Sequence, residues 1–287
     1  MTIDIFQHHR PRLFALAYRL LGSRGDAEDV VQDAWLRWSQ AERDAVRDPE
    51  AWLVTATTRL GIDRLRRLRH ERDAYPGPWL PEPVDVDASA TPEAGAEIAD
   101  QVSLAFLALL ERLGPEERAA FLLKEAFDHD YEQIAALLGH SVANCRQMVH
   151  RARGRLQAGR PRFEVHRDRH RELLTRFMQA AQTGDESAIV RLLDANARLV
   201  SDGGGKVTAA IRPLFGAERI GRLYAAVARR VGQEIHATIG TVNGEPAIIR
   251  TREGRLESVT TITLREGRID GIFTVLNPVK LRHWRAN

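Results

Sequence analysis

The residues best suited to chemistry lie between Tyr131 and Arg160. On a helix starting near Val142, the residues Ser141, Asn144, Arg146, Gln147, His150 and Arg151 turn outward, while Val142, Cys145 and Met148 turn inward. Asn and Gln pair with adenine edges and Arg with guanine edges, so the outward face carries the groups of a base reader. Five arginines and no acid fall between His140 and Arg160, which suits phosphate contact. These side chains need a rigid mount. Tyr131 opens a preceding helix, Ala135 is small where two helices must cross, and Gly139 supplies the turn, the spacing of a helix-turn-helix. Cys145 is the only cysteine and sits on the inward face. It reads as a small core hydrophobe, and the chain has no disulfide framework or multi-cysteine zinc site. No metal and no cofactor are expected.

A second basic cluster comprises Arg59, Arg64, Arg66, Arg67, Arg69 and Arg72, against only Asp63 and Glu71. It closes a segment with helical periodicity throughout. Phe14, Ala17, Tyr18 and Leu21 form one apolar stripe, and Gly22 stops that helix. Asp26 is expected to cap the next, which carries Val30, Val31, Ala34, Trp35 and Trp38. Pro49 opens a third, with Trp52, Leu53, Leu60 and Leu65. Residues 1–72 are therefore expected to form an all-helical domain.

From Asp73 to Glu111 there is no Lys or Arg, eight acids occur, and Pro76, Pro78, Pro81, Pro83 and Pro92 crowd the first part. Residues 73–96 are read as an acidic, proline-rich linker. A second all-helical domain, 97–160, holds the helix-turn-helix, and a short joint follows at 160–165. The remainder, 166–287, changes character. Leu173, Leu174, Phe177 and Ala181 give a helical stripe, as do Ile220, Leu223, Val227 and Val231. Alternating residues around Asn243-Gly244 and two Arg-Glu-Gly-Arg turns then predict an antiparallel meander, hence an α+β domain.

The chain of 287 residues is 44% hydrophobic and 28% charged, with a formal charge of +3; three residues are Lys and 39 are Arg. No apolar run reaches the roughly 18 residues of a membrane span, and the N-terminus lacks a signal peptide's apolar stretch. A soluble, cytoplasmic protein is expected, a monomer when free. Two basic helical modules on an acidic tether favour a reader of a two-part DNA site.

The stretches DAEDVVQDAWLRW (26–38), DPEAWLVTATTRLGIDRLRR (48–67) and YEQIAALLGHSVANCRQMVHRARGRL (131–156) resemble conserved regions 2 and 4 of extracytoplasmic-function sigma factors. WLPEP (79–83), DGGGK (202–206) and NPVKL (277–281) resemble the subgroup with a fused C-terminal SnoaL-like domain, a cone of helices wrapped by a curved antiparallel sheet. The resemblance implies binding to core RNA polymerase through Glu28, Asp29, Val30, Val31, Asp33 and Leu36. It implies that Arg59, Arg64, Arg66, Arg67 and Arg69 serve the -10 element of promoter DNA, and the face from Ser141 to Arg151 the -35 element. Trp52 is the only aromatic residue from Ser39 to Arg72 and is assigned to the core.

His236, Asp270, Asp202 and Lys206 have the residue types of acid–base catalysis, but no catalytic role is expected. Trp79 and Leu80 are large apolar groups in a segment otherwise suited to water. The resemblance places two C-terminal motifs near this segment, and so implies regulatory contacts between Trp79, Leu80, Pro81, Glu82 and Pro83 and Asp202, Gly203, Gly204, Gly205 and Lys206, and Asn277, Pro278, Lys280 and Leu281. Lys206 or Lys280 is expected to pair with Glu82. A one-component operator-binding regulator and an isomerase-like enzyme with a helical accessory are the alternative readings.

Overall fold

The structure is a computed structural model that describes residues 2–42, 46–84, 103–157, 167–231, 235–282 and 284. It divides into two units. The first holds the described residues of 2–74 and 107–157, the second those of 75–84, 103–106 and 167–284.

Three helices open the first unit: Thr2–Leu21 (α1), Arg24–Gln40 (α2) and Pro49–Asp73 (α3). Leu13, Leu16, Leu20, Val30, Val31, Trp38, Leu53 and Leu65 are buried. Ser23, rather than the expected Asp26, caps α2. Its Oγ accepts from the Asp26 N–H at 3.3 Å, and Asp26 turns its carboxylate to Arg64. Asp48 caps α3, with Pro49 at the first helical position as the sequence suggests. Helices Leu104–Leu110 (α4), Pro115–Glu125 (α5), Tyr131–Leu138 (α6) and Val142–Gln157 (α7) follow. A reciprocal cap between Asp130 and Gln133 starts α6. Gly139, at φ 72°, ends it in the left-handed region, where a side chain would be strained. Cys145, Met148, Val149 and Ala152 bury the inner face of α7.

The second unit carries Arg167–Thr183 (α8), Glu186–Leu192 (α9), Leu193–Asp202 (β1), Leu214–Phe215 (β2), Ala217–Val231 (α10), Ile235–Val242 (β3), Glu245–Arg252 (β4), Arg255–Arg265 (β5), Arg268–Val275 (β6) and Pro278–Leu281 (α11). The sheet order is β2-β1-β6-β5-β4-β3. Strands β3 to β6 form the expected meander, joined by turns in which Asn243, Glu253 and Glu266 have positive φ. The sheet as a whole is mixed, because β1 lies parallel to β6. The chain leaves β1 and returns through α10 and the meander, and so meets it running in the same direction. Leu174, Phe177, Ile189 and Ile220 pack with Leu199, Ile248, Ile262 and Ile272 in one core. Ile269 and Ile272, three residues apart, both join this core because a register shift lies at Thr263/Leu264.

The first part of the expected linker is packed into the second unit. Leu80, Pro81, Glu82, Pro83 and Val84 are all buried. Linker residues 85–96, and the expected joint at 160–165, lie outside the described residues.

Candidate nucleic-acid interface and linker clasp

The outer face of α7 follows the predicted register. Ser141, Arg146, Gln147, His150 and Arg151 are exposed, and Asn144 is half-buried. The Ser141 Oγ accepts from the Asn144 N–H at 3.2 Å, so this serine also caps the helix. The Arg146 guanidinium lies 5.5 Å from the Tyr131 ring centre, a contact that aims it without burying it.

The cluster on α3 is more constrained. Arg64 is half-buried and donates from Nε to Asp26 at 2.7 Å; Asp26 and Glu71 hold its pKa above the ordinary arginine value against the pull of burial. Arg66 meets Asp63 at 3.0 Å and Glu116 at 2.5 Å. Glu116 also accepts from His140 at 3.0 Å, and these bonds, that of His140 foremost, lower its carboxyl pKa. Arg59 donates to the Leu137 carbonyl at 3.2 Å. Arg67 and Arg69 are exposed.

On α2, Asp29, Asp33 and Leu36 face outward, with Leu36 48% exposed, and Glu28 is half-buried beside Arg24. Val30 and Val31 are only 4% and 2% exposed, which corrects their assignment to a partner surface. They belong to the apolar stripe that holds α2 on its neighbours, while Asp29, Asp33 and Leu36 form an outward i, i+4, i+7 row beside it. Trp52 is half-buried against Trp38, with ring centres 5.3 Å apart. It also lines an open cleft of about 600 Å³ with Ala41, Arg47, Asp48 and Thr55, so it is not wholly core.

In the second unit the three motifs converge on one buried carboxylate. Asp202 is fully buried and accepts from the Tyr75 hydroxyl at 2.6 Å, the Leu80 N–H at 2.8 Å, Lys280 Nζ at 2.6 Å and the Gly204 N–H at 3.1 Å. Lys280 also donates to the Leu80 carbonyl, and its ammonium lies 4.0 Å from the Trp79 ring centre and 5.1 Å from that of Tyr75. Lys280 is thus engaged with Asp202, while Lys206 is exposed. Asp202 is fully buried, and a carboxylate without water needs a counter-charge close by. Asn277 donates to the Tyr75 hydroxyl at 2.7 Å, and Asn277 and Leu276 donate their N–H groups to the Asp202 carbonyl. Burial and the Asp202 bond raise the Tyr75 pKa. Gly205 has φ 68°, and a Cβ there would come within 2.6 Å of Pro76 Cγ. The glycine run therefore serves close approach to the linker, and the anion its Gly204 N–H binds is the chain's own Asp202.

The first 156 residues match two family descriptions, Sigma-70 region 2 over residues 5–71 and Sigma-70 region 4 over residues 103–156. Over 98% of its length the chain is 35% identical to the ECF RNA polymerase sigma factor SigJ of Mycobacterium tuberculosis, covering 93% of that protein. The chain belongs to the ECF sigma factors. It is also 32% identical, over 97% of the chain and 94% of the relative, to the probable ECF sigma factor SigI of the same species. The crystal structure of Mycobacterium tuberculosis SigJ matches with a TM-score of 0.79 at 32% identity, covering 99% of this chain and all of that one. The fold is thus that of two sigma helical domains followed by a SnoaL-like domain with a curved mixed sheet. As a sigma factor, the protein directs promoter-specific initiation through core RNA polymerase and promoter DNA; neither alternative reading is favoured.

Two residues of this sigma factor's clasp carry no signal strong enough to be singled out in the sequence. Tyr75 looks like the end of a charged helix, and Asn243 like an ordinary hairpin residue. Asn243 is 1% exposed and bonded to Val84 on both backbone groups.

Proposed function

We propose that this sigma factor reads a two-part promoter with α7 on the -35 element and α3 on the upstream edge of the -10 element, and that its C-terminal unit sets its activity by holding the linker. The observation that carries the DNA assignment is the outward row Arg146, Gln147, His150 and Arg151 on a helix whose opposite face is buried. Arg67 and Arg69 are the exposed phosphate contacts of α3, and Arg59, Arg64 and Arg66 exchange their present oxygen partners for phosphates on binding. The row Asp29, Asp33 and Leu36, with Glu28 beside it, meets the polymerase. The protein works in the cytoplasm, where its polymerase is.

The C-terminal unit acts by binding rather than turnover. Asp202 is occupied by Lys280 and Tyr75, Asp270 by Thr263 and Arg265, and His236 is exposed on the edge strand β3. A coupling of about 1–3 kcal/mol between linker and promoter occupancy changes output roughly 5–150-fold. Run-off transcription with core polymerase tests both parts. Defined initiation by the intact chain is expected, with output altered at least about fivefold by Asp202→Asn. Absence of any defined start overturns the promoter assignment, and unchanged output in the variant overturns the regulation.

A further inference from the structure

Between Leu80 and Val84 only three residues carry a backbone N–H, because Pro81 and Pro83 have none. The Leu80 N–H goes to Asp202 and its carbonyl accepts from Lys280. Four residues on, the Val84 N–H donates to Asn243 Oδ1 at 3.0 Å, and its carbonyl accepts from the Asn243 N–H at 3.0 Å. Each end of the segment thus gives both of its backbone groups to the C-terminal unit. In an extended chain residues i and i+4 point the same way, so one surface can hold both. Leu80 and Val84 are 1% and 4% exposed, so apolar burial accompanies the backbone bonds at each end.

Asn243 sits at φ 52° in the turn between β3 and β4. The turn needs a residue that tolerates positive φ, and glycine would meet that need alone. The side-chain amide is an additional feature, and its acceptor is spent on the linker. We propose that the C-terminal unit is a receptor for an extended, proline-interrupted peptide that it reads through the backbone at two points, with Asn243 as the second latch that fixes the register. This deepens the reading of the linker as a regulated element and rests on it.

The decisive variant is Asn243→Gly in the full chain, which keeps the positive φ and the N–H but deletes Oδ1. Amide hydrogen exchange followed by NMR is expected to quicken at Val84 by severalfold, up to about tenfold, the loss of one neutral hydrogen bond. Leu80 is expected to keep its protection. Unchanged exchange at Val84, or equal loss at both residues, overturns the proposal. Should the hairpin itself open in this variant, Val84→Pro removes the donor from the linker side and leaves the turn untouched. A shift of the Asn243 side-chain carboxamide resonances, whose Oδ1 loses its donor, with Leu80 still protected then supports the latch, and unchanged carboxamide resonances overturn it. These readouts report docking whether or not transcription changes, so failure of the latch is distinct from failure of the regulatory reading.

Discussion

Arg118 donates from Nε and Nη2 to the single carbonyl of Arg19, at 3.1 and 2.9 Å, from a side chain only 1% exposed. Its Nη1 meets Glu111 at 2.5 Å, and Glu111 also binds Arg72, which reaches the Leu21 carbonyl at 2.6 Å. Two guanidiniums from α5 and α3 thus close the carbonyl end of α1, where positive charge is favoured. Removing one member of a buried charged set strands the others. Arg118→Ala is expected to cost about 3–5 kcal/mol in urea unfolding. Arg153→Ala, which breaks an exposed pair with Glu125, is expected to cost under about 1 kcal/mol.

The two arginine sets are expected to differ in kind. Arg146→Ala or Gln147→Ala should relax sequence choice, with about 1–3 kcal/mol lost at one position of the site, whereas Arg67→Ala should weaken all sequences alike and lower the salt slope by about 1. Binding isotherms on matched and mismatched promoters across a salt series check this.

On α2, burial separates docking from stability. Leu36→Asp is expected to reduce co-purification with core polymerase and leave the unfolding midpoint nearly unchanged. Val31→Ala is expected to do the opposite, because it opens a cavity in the helical core.

The clasp is expected to loosen in alkali. The Tyr75 pKa is raised in the folded chain above its ordinary value of 10.0, first by burial and then by Asp202. Its contribution is therefore fully present below about pH 10 and is lost as pH rises toward the folded value. A pH titration of Trp79 fluorescence should show a transition above pH 10 that Tyr75→Phe removes.

Much of this is legible in the sequence alone. The outward row of α7, the caps at Pro49 and Gly139 and the hairpin at Asn243-Gly244 follow from local rules, and the structure repeats them. What escaped depends on distant partners. For Val30 and Val31 the apolar row of the helix and the polymerase contact implied by the resemblance point opposite ways, and only their packing, 4% and 2% exposed, decides between them. The strand β1 has an irregular burial pattern and pairs across most of the domain with β6, so no local alternation announces it. The linker motifs point to a clasp, but the ion pair of Lys280 with Asp202 joins residues 78 positions apart inside the C-terminal unit, and no local pattern announces it.

Cys145 gives the DNA-reading helix a reporter of its own. The only thiol of the chain faces inward where α7 crosses α6, and burial raises its pKa. An alkylating reagent can reach it only when that crossing breathes. The labelling rate of the unmodified protein therefore counts openings of the reading head, and promoter binding should slow that clock.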